Sequence, residues 1–150
     1  MPTKKEDGLY HHYFTLLKNY RKKYGKVMLL YQVGSFFEVY GLYDNETKKF
    51  VEEFNSANDF SSITEVNVSL KSNQKYNGKV ISMAGYPLVT PLVKYIPKLL
   101  KLGWTVPLWK QTEQKKKSPT YEYNVFSAGT SWLNDNNNNL SNCFTICWLE

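Results

Sequence analysis

Apolar residues recur along this chain with changing periods, and the periods predict its elements. Leu9, Tyr13, Leu16, Leu17, Tyr20 and Tyr24 are spaced by threes and fours, which marks one buried helix face. Lys18, Arg21 and Lys22 fall largely off that stripe. Lys22 and Lys23 suit the negative end of the helix dipole, and Gly25 suits its C-terminal cap. Val27–Gln32 is a continuous apolar run, read as a strand buried on both faces. Gly34-Ser35 interrupts it, and Phe36-Phe37-Glu38-Val39-Tyr40 follows. In an extended stretch side chains alternate, so Phe36 and Glu38 share one face while Phe37 turns toward the core.

Gly41–Asn45 reads as a turn, leading into a helix near Glu46 whose buried face is Phe50, Val51, Phe54 and Ala57. Residues 58–65 are polar and read as loop. Val66–Leu70 alternates like a half-buried strand, Asn73–Gly78 is a turn, and Lys79–Ala84 is the partner strand. Thr90-Pro91 starts a helix with Thr as N-cap and Pro at the first position. Its stripe is Leu92, Tyr95, Ile96, Leu99 and Leu100; Pro97 should kink it or delay its start, and Gly103 closes it. Trp104–Trp109 reads as a strand that Pro107 steers to a sheet edge.

Composition shifts then divide the chain. Lys115–Pro119 reads as a boundary, giving a first domain over 1–117. A linker over 118–141 carries the polar run Asn134–Asn139, and 142–150 is the first strand of a further domain, as in a piece of a longer protein. Apolar residues make up 42% and aromatics 16% of 150 residues, enough for a real core. No run of 18 apolar residues or signal-peptide pattern occurs, so the expectation is an intracellular protein without a membrane partner. Cys143 and Cys147 lack companions for a zinc site or a disulfide framework, and His11 and His12 read as surface histidines.

Charge is unevenly distributed. Residues 1–30 hold seven Lys/Arg against two acids, and 71–117 hold ten Lys against Glu113 alone. Residues 38–65 carry seven acids against Lys48 and Lys49. Two basic blocks around an acidic middle suggest one basic face suited to a polyanion, beside the plainer reading of ordinary solvated helix faces.

Candidate chemistry is sparse. Neither G-x-x-x-x-G-K-[ST] nor G-x-G-x-x-G is present, nor H-E-x-x-H, nor a nucleophile elbow. Glu38, Asp44 and Glu46 offer carboxylates of the kind a magnesium-dependent nuclease needs. Asp44 and Glu46, however, sit at a turn and helix start where acids are routine, and acidic clusters without a supporting motif are mostly structural. Phe36 has a plain reading as a core aromatic beside Phe37. It also has a functional one, as a wedge at a sheet's end that slips between bases. Glu38 would be repelled by phosphates, and makes sense on DNA only as an acceptor at a base edge.

Four blocks in order carry a resemblance. Gly34-Ser35-Phe36-Phe37-Glu38 resembles the G-[DS]-F-[YF]-E signature of MutS-type DNA mismatch repair proteins, and Met83-Ala84-Gly85-Tyr86-Pro87 resembles their M-A-G-x-P segment. Trp104–Gln111 is similar to the strand that ends in a Glu-Gln or Lys-Gln pair. Phe126–Thr130 resembles the linker toward the connector domain. Val89 stands where the family often has His, Ala128 stands where Pro is usual, and the Asn-rich insert is atypical, as in divergent viral or organellar members.

The resemblance implies an α/β (α+β) fold, a mixed β-sheet flanked by about three helices. It implies a mismatch-recognition module in which Phe36 stacks on a mispaired or unpaired base from the minor groove. Glu38 hydrogen-bonds that base, and Met83 lies in a nearby loop. The expected partner is double-stranded DNA carrying a mismatch or small loop. No catalytic residue, metal site or cofactor is expected in this chain. ATP and magnesium belong to the full-length family protein, an ATPase and a dimer, whereas this chain alone is expected to be a monomer. The alternatives are a non-specific single-stranded nucleic-acid binder, a metal-dependent nuclease, and a degenerate fragment with only a folding or interaction role.

Overall fold

A computed structural model describes residues 4–112 and 120–127. Helix α1 (Lys4–Tyr24) is followed by strands β1 (Leu30–Val33), β2 (Phe36–Asp44) and β3 (Lys49–Phe50). Next come a single 3-10 turn (Glu52–Phe54) and helix α2 (Ser56–Thr64). Strands β4 (Ser69–Tyr76) and β5 (Lys79–Pro87), helix α3 (Leu92–Lys101), and strands β6 (Val106–Gln111) and β7 (Tyr121–Phe126) complete the described chain. The strands form one mixed sheet in the order β4-β5-β2-β1-β6-β7, with β3 added to β2. Only the β1–β6 pairing is parallel among the named strands. The α+β class implied by the resemblance is the one observed.

The sheet separates two cores. On one face α1 lays Tyr10, Tyr13, Phe14 and Leu17 against Leu29, Tyr31, Tyr40, Leu42 and Ile81. On the other, α2 and α3 bring Ala57, Phe60, Tyr95, Ile96 and Leu99 onto Leu30, Phe37, Val39, Ala84 and Leu108. Alternation along β2 divides its side chains between these faces, as strand geometry requires. The buried stripe of α1 therefore includes Tyr10 and Phe14, which the spacing analysis passed over, while Tyr24 is left exposed. Tyr13 helps to fix the helix by donating its hydroxyl to the Leu29 carbonyl at 2.7 Å.

Several boundaries differ from the sequence expectation. No helix starts near Glu46: β2 runs on to Asp44, and the chain turns back as β3. The predicted loop over 58–65 is mostly α2, whose buried Ala57, Phe60 and Thr64 recur at helical spacing among polar neighbours. Strand β4 begins three residues later than Val66 and runs through the predicted turn, which shrinks to Asn77-Gly78. In α3, Pro91 occupies the N-cap position instead of Thr90, and Pro97 lies inside the helix. The helix closes as foreseen at Gly103, with Gly103 N–H bonded to the Leu100 carbonyl and Trp104 N–H to that of Leu99.

Pro107 does not mark an edge. β6 lies between β1 and β7, and its ladder to β1 begins only at Leu108, one residue past the proline. β7 itself falls within the stretch expected to be linker, and pairs with β6 over six residues from Val106↔Phe126 to Gln111↔Tyr121. The expected boundaries at 117 and 141, the Asn-rich run, Cys143, Cys147 and the strand over 142–150 lie outside the described residues.

At the rim, β4 slips register: Lys71 faces Ile81 but Lys75 faces Val80, so Ser72–Gln74 bulge outward. The bulge carries Gln74 to α1, where Tyr10 donates a hydrogen bond to its side-chain carbonyl. Among the described residues no helix is long and apolar enough to cross a membrane.

Candidate nucleic-acid interface

The candidate site sits where β1 turns into β2. Val33 and Phe36 are paired, so Gly34 and Ser35 alone make the turn, and Gly34 adopts φ 60°, a conformation glycine takes at little cost. Both turn carbonyls are held from outside the turn. Ser35 O accepts from Leu88 N–H at 2.9 Å, and Gly34 O accepts from the Gln32 side-chain amide at 2.9 Å.

The turn launches Phe36, Phe37 and Glu38 with the alternation the sequence suggested. Phe37 is 3% exposed and packs on Tyr86, whereas Phe36 is 44% exposed. Fully burying such a side chain contributes roughly 1.5–3 kcal/mol, so leaving Phe36 in water forgoes a substantial part of that. Glu38 stands on the Phe36 side and accepts a hydrogen bond on Oε1 from the Tyr40 hydroxyl. Burial first, and then the Glu38 charge, raise the Tyr40 phenol far above its ordinary range, so it stays a donor. One carboxylate oxygen is thus oriented, and the other retains its capacity to accept.

Phe36, Glu38 and Met83 line one recess of about 200 Å³, together with Asn67, Ser69 and Gly85. All three residues named from sequence are therefore brought together. Met83 is not in a loop: it lies within β5, opposite Tyr40 on one side and Ser69 on the other. Sequence reasoning missed Asn67 and Ser69, polar groups beside an aromatic ring that no spacing rule singles out. Gly85 was visible only as part of a motif block, and the fold gives its reason. A Cβ there would stand 2.9 Å from the Phe37 carbonyl and 3.4 Å from both Glu38 Cγ and Met83 Sδ.

Behind Glu38 lies a larger cleft of about 660 Å³ between the start of α1 and the sheet, bordered by His12, Tyr31, Gln74, Gln111 and Tyr121. Its polar groups are engaged with one another. His12 Nδ1 and Tyr31 Oη are 2.8 Å apart, and Gln111 donates to Tyr121 Oη at 3.2 Å. Burial and the neighbouring His11 charge lower the His12 pKa from its ordinary 6.5.

The lysines of α1 and α3 do not share one face, because the two helices pack on opposite sides of the sheet, whereas Lys71 of β4 borders the cleft beside the start of α1. Two lysines are committed to structure. Lys26 donates to the Leu102 carbonyl at 3.0 Å and sits 4.6 Å from the Trp104 ring centre; Lys79 pairs with Asp44 at 2.9 Å. Among the described residues no three His, Cys, Asp or Glu side chains gather in a way that could hold a metal ion. Asp44 is six residues from Glu38 on the same strand, about 20 Å away.

A family model, MutS domain I, matches residues 10–132. The chain belongs to the MutS domain I family. The match supports an N-terminal MutS mismatch-recognition domain, a DNA-binding module and not the family's ATPase domain. The match includes the whole Phe36–Met83 recess and continues through β7, in line with the pairing of that strand to β6. No curated protein matches the chain.

Proposed function

We propose that this MutS domain I module recognises mispaired or unpaired bases in duplex DNA by inserting Phe36 from the minor groove, with Glu38 accepting a hydrogen bond from the displaced base. The observation that carries this reading is the pairing of an exposed aromatic ring with an oriented carboxylate on one strand face, beside Met83 in a shared recess. A wedge of this kind pays an unstacking cost at every step it enters. That cost is lower where pairing is already faulty, so preference arises without reading sequence. Glu38 supports the same reading, because a carboxylate near a phosphodiester backbone is unfavourable unless a base-edge donor meets it. Exposed lysines, among them Lys75 on β4, supply the salt-sensitive and sequence-independent part of binding. The module acts by binding and not by catalysis, as one part of a larger dimeric ATPase.

The test is competition between a heteroduplex with one unpaired thymine and its matched duplex, for the wild type and Phe36→Ala. The expected result is a heteroduplex preference that falls by roughly tenfold or more in the variant, the scale of one base–aromatic stack. Equal affinity of both proteins for both duplexes would refute the wedge.

One observation favours a second reading. Tyr123, 43% exposed, stacks on Trp109 with ring centres 5.2 Å apart and planes 15° from parallel. An open aromatic platform of this kind suits single-stranded nucleic acid. Stronger competition by single-stranded DNA than by heteroduplex, lost in Tyr123→Ala and kept in Phe36→Ala, would favour it.

A further inference from the structure

We propose that Gln32 and Gln111 form an amide clasp that positions the wedge-bearing turn, an inference that rests on the mismatch reading of Phe36. The parallel ladder between β1 and β6 ends at Tyr31↔Trp109. Just beyond it a side chain takes over from the backbone: Gln111 N–H donates to Gln32 Oε1 at 2.8 Å. The same Gln32 amide donates from Nε2 to the Gly34 carbonyl at 2.9 Å and, more weakly, to Gln111 Oε1 at 3.4 Å. One buried side chain, 2% exposed, therefore ties the end of an interior strand to the first residue of the turn. From the other side, Gln111 reaches Tyr121 Oη at 3.2 Å, and Tyr121 donates to the Gln32 main-chain carbonyl at 3.4 Å.

This arrangement exceeds what the sheet needs. An apolar residue at this buried position, such as Leu30 two places earlier, would serve packing equally well but would leave Gln111 N–H and the Gly34 carbonyl without these partners. The glutamine uses its amide protons and its oxygen to join the first turn residue, Gly34, to the end of β6 at Gln111, a link that the ladders of β1 and β6 do not otherwise make. The turn sets where Phe36 emerges, and a wedge selects faulty pairs only if its approach is fixed before contact; loose presentation would let it adapt to any step. The clasp also gives a physical reason for the glutamine that ends β6. Gln32 and Gln111 are positioning residues, acting on DNA through Gly34 and Phe36 without touching it.

Gln32→Met keeps the side-chain volume and removes every donor and acceptor. Amide hydrogen exchange of the free chain should quicken by roughly tenfold at Val33–Phe37, the opening equivalent of about one net hydrogen bond, while Tyr40–Leu42 on the same strand stay as in the wild type. The heteroduplex-to-homoduplex affinity ratio should fall by about fivefold with homoduplex affinity unchanged, a split that general loss of stability does not produce. Should Gln32→Met fail to fold, Gln111→Met keeps the main-chain bond to Gln32 and is expected to give the same pattern at about threefold. Unaltered exchange at Val33–Phe37 relative to Tyr40–Leu42 would overturn the clasp, and so would a loosened turn with an unaltered affinity ratio. A wild type without heteroduplex preference would instead remove the mismatch reading, and the exchange data would then decide the clasp alone.

Discussion

The two ends of β2 are built from the same materials and finished differently. Each offers an aromatic ring and a carboxylate. At the far end Tyr43 is covered by Phe50, with ring centres 4.9 Å apart, and Asp44 is paired to Lys79 at 2.9 Å while accepting from Glu46 N–H at 2.9 Å. At the near end the Phe36 ring is open, and Glu38 is met by a neutral phenol in place of a cation. An ammonium would have neutralised the acid, whereas a hydroxyl aims it and leaves its charge intact. Composition alone therefore does not distinguish the two ends. The nature of the partner does.

The widest contrast to test lies inside the site, between adjacent phenylalanines. Phe37→Ala should cost about 3–5 kcal/mol of unfolding free energy, as for other buried aromatics, and Phe36→Ala, whose ring is 44% exposed, about 1–1.5 kcal/mol. Urea denaturation of both variants measures this, and comparable losses would mean that Phe36 is part of the core. Next in size is Gly85→Ala, whose added methyl meets the Phe37 carbonyl and is expected to destabilise by about 1–3 kcal/mol through displacement of β5 from β2. The same variant should weaken heteroduplex binding more than homoduplex binding, because the atoms that must move line the Phe36 recess.

Tyr40→Phe keeps the buried ring and removes only the donor to Glu38. Roughly a threefold to tenfold drop in heteroduplex preference is expected, the range of one ordinary net hydrogen bond, and an unchanged ratio would make Tyr40 a core residue only. The smallest effect belongs to the far end. The Lys79 hydrogen bond, and then that from Glu46 N–H, lower the Asp44 pKa below its ordinary 3.8. The stability it contributes is therefore complete above that value and is lost as pH falls through the lowered one. Asp44→Asn should flatten the acid limb of a stability-against-pH curve below about pH 4 and leave DNA binding untouched. A change in DNA preference there would end the distinction between the two ends.

Much of this was legible in the residues. The alternation Phe36-Phe37-Glu38 set neighbours on opposite faces, but on the residues alone Phe36 still read as core; the family resemblance singled it out with Glu38 and Met83, and put Met83 in a loop where the fold has a strand. Glycine and polar residues conceal the rest. Gly41 looked like the start of a turn, yet it lies mid-strand, where a Cβ would be 2.7 Å from both the Phe54 carbonyl and Ser82 Oγ. That glycine serves close packing, which a sequence does not announce. Helix α2 was hidden by Ser, Asn, Asp and Thr, since its buried face is narrow and its stripe short. Likewise the lysines of α1 and α3 looked like parts of one face. The sheet passes between these helices, and no count of charges reveals on which side each helix docks.

The bulge in β4 bears on how the molecule behaves in company. A rim strand exposes unpaired backbone donors and acceptors that a second copy of the chain can extend, and repeated extension leads to fibres. Here the run is broken at Ser72–Gln74, and Lys71 and Lys75 stand at either side of the break. An approaching copy would find neither a straight ladder to continue nor a neutral edge to meet. The sheet that leaves the Phe36 ring open to solvent thus has a neighbouring rim resistant to self-association.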